Sequence, residues 1–96
     1  MAEAVAHGEL EHLRGQIEEV DRALVETLNR RLELVARIRR YKLENGLPLL
    51  DLAREEQLLQ HLSETNGGPL SEEGLRRLHA EILDLTKREL SPNGDA

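Results

Sequence analysis

The 96-residue chain has no cysteine, phenylalanine or tryptophan, a single tyrosine and three prolines. The missing cysteines exclude disulfides, thiolate metal sites and a cysteine nucleophile, and they suit a cytoplasmic protein. Few aromatic or β-branched residues means weak strand propensity and no platforms for stacking bases. No apolar run approaches the ~18 residues that a membrane span needs, and no signal-peptide core opens the chain. A cytoplasmic protein with no membrane partner is therefore expected. Basic character is also lacking: a net charge of −6 argues against nucleic-acid binding. His7, His12, His61 and His79 lack metal-ligand spacing. No glycine-rich phosphate loop precedes a helix, and no serine lies in a nucleophile motif. The expectation is no metal and no cofactor.

What remains is rich in leucine, glutamate and arginine, which favour helix. Residues 1–8 carry no periodic pattern and are expected to form a flexible tail. A first helix should run from about Glu9 to Asn45, where Asn45-Gly46 and Pro48 stop it. Asp51 is a good N-cap for a second helix reaching about Ser63. Asn66-Gly67-Gly68-Pro69 is a break. Ser71 then caps a third helix, with Glu72 and Glu73 at its positive end and Leu75, Leu78, Ile82 and Leu85 as its apolar stripe. Ser91-Pro92-Asn93-Gly94 ends it, leaving 91–96 as a second flexible tail. The expected architecture is all-α, with one domain over 9–90.

Along the first helix, Leu10, Leu13, Ile17, Val20, Leu24, Leu28, Val35 and Ile38 fall within an arc of about 80°. Arg31 and Lys42 fall inside that arc, and every other charged residue from Leu10 to Glu44 falls outside it. A cation facing a core is costly unless an anion meets it. Either two ion pairs are hidden here, for instance with Glu55, or two cations await an anionic ligand. The helix would span ~55 Å, too long for two short helices to cover from one side. A second copy of the chain is the simplest partner, giving a six-helix homodimer. A plain coiled-coil adaptor would leave the two short helices, and the charges at core positions, unexplained.

Three further groups stand out. Asp51-x-x-Arg54-Glu55 places three charges on one face at the start of the second helix. Asp51 and Arg54 have a plain reading as a cap and its ion-pair partner, but Glu55 shares its face with Leu58 and Leu62 and points toward a core. Arg14 lies ~25 Å from Arg31 along the helix. It reads as a surface residue unless an antiparallel partner brings it to the other chain's Arg31/Lys42 region. On the third helix, Thr86 lies at the margin of the stripe, where a hydroxyl commonly bonds back to its own helix. Glu89 lies within the stripe. This polar set is rich in cations and poor in nucleophiles. It fits recognition of carboxylates and stabilisation of a charge-shifted transition state without covalent chemistry.

In order, Leu13-Arg14-x-x-Ile17-x-x-x-Asp21, Leu28-Asn29-Arg30-Arg31-x-x-Leu34, Ile38-x-x-x-Lys42 and Asp51-x-x-Arg54-Glu55 resemble the all-helical class of chorismate mutases over about residues 9–90. The resemblance implies an intertwined homodimer of three-helix subunits that rearranges chorismate to prephenate, in phenylalanine and tyrosine biosynthesis, without metal or cofactor. It implies that Arg31, with Arg14 of the partner subunit, clamps the two substrate carboxylates. Lys42 would donate to the ether oxygen and to a carboxylate, Asp51 and Glu55 would meet the ring hydroxyl region, and Arg54 would support the pocket. Thr86 stands where the family has a serine or another small residue. Four residues on, the family places Gln or Glu as a second ether-oxygen partner; here Leu90 stands there, with Glu89 adjacent and expected from helix phase to point inward. Asn66-Gly67-Gly68-Pro69 also resembles mutase domains associated with the first enzyme of the shikimate pathway. Two relatives of this reading are an isochorismate-pyruvate lyase of the same fold and a mutase-like regulatory module that docks on that first enzyme.

Overall fold

In the computed structural model, described for residues 2–91 and for side chains from residue 5 onward, three α-helices follow one another. They are α1 (Ala2–Glu44), α2 (Leu52–Thr65) and α3 (Glu72–Leu90). No strand occurs among the described residues. The all-α architecture, one long helix and two shorter ones, is the one expected. The start of α1 differs: it begins at Ala2 rather than near Glu9. Residues 2–8 lack an apolar stripe, but they contain alanines and no proline. Propensity governs whether a helix forms, whereas periodicity governs which face it buries. Of the expected C-terminal tail, 92–96 lie outside the described residues.

The helix ends follow from local chemistry. Gly46 adopts φ +65°. Its N–H donates to the Leu43 carbonyl at 3.5 Å, and the Leu47 N–H donates to the Lys42 carbonyl at 2.8 Å. This is the Schellman pattern, in which a left-handed residue just past the helix satisfies two carbonyls of the last turn. At the start of α2 the Asp51 side chain accepts from the Arg54 N–H at 3.0 Å. At the start of α3 the Ser71 hydroxyl accepts from the Gly74 N–H at 3.0 Å. Between these helices the Asn66 side chain bonds Gly68 N–H and the Leu70 carbonyl. Ser63 donates to Glu72 at 2.7 Å, tying the end of α2 to the start of α3.

The chain divides into two units, Met1–Glu33 and Leu34–Ala96. The described part of the first is a stretch of α1 alone. Its apolar stripe is bare: Leu10, Leu13, Ile17, Val20 and Leu24 are all exposed, Val20 to 65%. Leu28, Arg31 and Leu32 are half-buried. In the second unit α2 packs against α3. Leu58, Leu59 and Leu62 of α2 are half-buried, as are Ile82, Leu83 and Leu85 of α3. Among the described residues Leu75 is the one hydrophobic side chain that is buried, along with His79 and Thr86.

Three of the four residues of the stripe expected on α3 lie on its packed side, Leu75 buried and Ile82 and Leu85 half-buried, and one does not. Leu78 is 46% exposed, while Leu75, His79 and Thr86 are buried. The centre of that side runs Leu75-His79-Ile82-Thr86, at spacings of four, three and four. Two polar residues lie on that line, so a hydrophobic count misses them.

Candidate functional site

The second unit holds most of the expected site. Lys42 is half-buried near the end of α1. Its Nζ donates to the Leu49 carbonyl at 3.3 Å. Leu49 lies two residues before Asp51, so the Lys42 ammonium is tied to the segment that leads into α2. Asp51 and Arg54 are exposed and Glu55 is half-buried. The plainer reading of Asp51 holds in part, since its carboxylate caps α2. Arg54 meets that cap through its backbone N–H. Glu55 is half-buried on the same face of α2 as half-buried Leu58 and Leu62.

From α3, Thr86 is buried and its hydroxyl donates to the Ile82 carbonyl at 2.7 Å. This is the back-bond expected of a threonine inside a helix. Glu89, expected to face inward, is exposed, and Leu90 takes the half-buried position. Leu90 lies one full turn after Thr86, whereas Glu89 is exposed in the last turn although it shares its angular sector with half-buried Ile82 and Leu85.

The two arginines belong to the first unit. Arg31 is half-buried. Arg14 is exposed and pairs with Glu11 one turn earlier at 3.0 Å. An exposed pair of this kind contributes little to stability.

Two groups escaped the sequence reading. The Leu49 carbonyl carries no side-chain signal. His79 is 6% exposed, and its Nε2 finds no hydrogen-bond partner among the described residues. The four-three-four spacing from Leu75 to Thr86 was the signal available for it. Among the described residues no group of three or more His, Asp or Glu side chains is placed to hold a metal. No described helix is long and apolar enough to cross a membrane.

Lys42 and Glu55, both half-buried, are the charged side chains of the second unit that the expected site and the described burial have in common. The chain belongs to the chorismate mutase type II family, whose model matches residues 13–90. It is 42% identical over 78 residues to the T-protein of Enterobacter agglomerans, covering 76% of this chain and 21% of that protein. It is 39% identical over 46 residues to 4-amino-4-deoxychorismate mutase of Streptomyces venezuelae, covering 48% of this chain and 45% of that one. The chain thus spans about a fifth of the length of one curated relative and under half of the other. Among solved structures, chorismate mutase from Thermus thermophilus superposes with TM-scores of 0.78 (form I) and 0.81 (form II). Identity is 36% and 34%, and the matches cover 81% and 92% of this chain and 98% and 99% of those chains.

Proposed function

We propose that this chain is a chorismate mutase, an isomerase that rearranges chorismate to prephenate as a homodimer, without metal or cofactor. The observation that carries the reading is the family match across residues 13–90, joined to a half-buried Lys42 whose ammonium is bonded to the Leu49 carbonyl before α2. The reaction is unimolecular: an ether carbon–oxygen bond breaks as a carbon–carbon bond forms, and negative charge grows on the departing oxygen. The protein must hold a flexible dianion compactly and place positive charge beside that oxygen.

In this reading Arg31 and Arg14 of the partner subunit clamp the two carboxylates, with the bidentate geometry that guanidinium offers. Lys42 donates to the ether oxygen and to a carboxylate. Asp51 and Glu55 receive the ring hydroxyl, and Arg54 adds positive potential at the rim. Thr86 is a small wall residue whose own proton is engaged by Ile82. With Leu90 half-buried and Glu89 exposed, Lys42 is the side-chain donor to the ether oxygen.

The homodimer rests on α1. Five large apolar side chains from Leu10 to Leu24 are exposed, a stripe of the kind that marks an interaction surface. A fully buried Leu contributes about 1.5–3 kcal/mol, so Leu75 alone cannot offset the ordering of this many residues. Cytoplasmic residence rests on the cysteine-free composition. Association with the first enzyme of the shikimate pathway rests on the Asn66–Pro69 sequence.

The test is turnover. Purified protein should consume chorismate with an equimolar yield of prephenate. Isochorismate yielding pyruvate at a higher rate would favour the lyase. Preference for 4-amino-4-deoxychorismate would move the substrate assignment to the Streptomyces relative's chemistry. No turnover of any of the three would leave the regulatory module.

A further inference from the structure

We propose that Gly46 is a positioning residue for Lys42, and that the corner it permits seats the Lys42 ammonium on the Leu49 carbonyl before substrate arrives. The proposal rests on the reading of Lys42 as the ether-oxygen donor. Gly46 sits at φ +65°, in the left-handed region that glycine enters without strain. That turn lets the Leu47 N–H reach the Lys42 carbonyl at 2.8 Å. Pro48 disfavours a helical conformation for Leu47 before it. Seven residues on from Lys42, the Leu49 carbonyl lies 3.3 Å from the Lys42 Nζ. Lys42 is thus held twice by one corner, through its own carbonyl and through its ammonium.

Ending a helix requires only the backbone half of this arrangement. The side-chain half does something more. A lysine is a point charge on a flexible four-carbon stem. Its ammonium has three protons, and the Leu49 carbonyl takes one, leaving two for a ligand. A donor already fixed beside the reacting oxygen needs no reorganisation as charge develops there, which is where electrostatic catalysis gains most.

Gly46 offers a clean probe, because a Cβ built on it meets nothing within 4 Å. A side chain there acts through the backbone and not through packing. Asparagine visits the left-handed region more readily than other non-glycine residues, whereas β-branched residues are outliers there. Gly46→Asn should hold kcat within about twofold of wild type, and Gly46→Val should lower kcat about tenfold or more with KM changed less than about threefold. Gly46→Ala should fall between. Ser71→Ala removes a helix cap elsewhere and serves as the control for destabilisation alone. It should leave kcat unchanged. Circular dichroism identifies the folded variants, and if Gly46→Val does not fold, the Gly46→Ala rate against those of Gly46→Asn and Ser71→Ala decides. A folded Gly46→Val or, failing that, Gly46→Ala with wild-type kcat would overturn the proposal, as would a Gly46→Asn loss equal to that of the strained variant. Lys42→Gln in the same assay keeps the two readings apart. Wild-type activity in that variant would sink the role of Lys42 itself, while an inactive Lys42→Gln beside a fully active Gly46→Val would sink only the role of Gly46.

Discussion

Position 90 separates two ways of stabilising the departing oxygen. Leu90 is half-buried one turn after Thr86, and Glu89 is exposed. Leu90→Gln should leave the fold intact and raise kcat by about tenfold, since a preorganised donor acts mainly on the transition state. Glu89→Ala should stay within about twofold of wild type. A Glu89→Ala variant that loses its activity would put Glu89 back in the mechanism. His79 makes a second point at this scale. Its Nε2 is buried without a hydrogen-bond partner among the described residues, and a buried unsatisfied polar atom costs about 1–3 kcal/mol. His79→Leu should therefore raise the free energy of unfolding by about 1 kcal/mol in denaturant melts. Destabilisation instead would show that the imidazole is satisfied.

At the scale of elements, both short helices begin on a side-chain cap, and the caps differ in what else they do. Ser71 accepts from Gly74 N–H and has no proposed role with substrate. Ser71→Ala should cost about 1 kcal/mol of stability and nothing in kcat. Asp51 accepts from Arg54 N–H and is also proposed to meet the substrate. Asparagine caps as well as aspartate, so Asp51→Asn should hold stability within a few tenths of a kcal/mol while activity falls. Equal activity in Asp51→Asn would confine Asp51 to capping. These elements show where a sequence is legible. Asp51, Gly46 and Ser71 mark helix ends because each satisfies backbone groups that the helix itself leaves open. Glu55 was legible as an inward carboxylate because it shares a face with Leu58 and Leu62. The face of α3 was legible in Leu75, Ile82 and Leu85 but not in His79, a polar residue that a reading by hydrophobicity passes over. The Leu49 carbonyl was invisible for a simpler reason: backbone acceptors have no letter in a sequence.

For the whole molecule, α1 is the element on which the proposed homodimer rests. Its length and its stripe were readable from a pattern spanning Leu10 to Ile38, and the exposed Ile17 and Val20 are the consequence. Arg14 is the sharpest case. It is exposed and paired with Glu11 on its own helix, yet it is proposed to work in the site of a second copy. On that proposal folding and association are coupled, and the site is complete only in the dimer. Arg14→Ala and Arg31→Ala homodimers should each be inactive, because every site lacks one clamp. The most direct measurement is chorismate turnover after the two inactive variants are unfolded together in equal amounts and refolded. Half of the dimers should be mixed, each with one complete site out of two, so activity should return to about a quarter of wild type. Mixed dimers that form and remain inactive would contradict the shared-site account.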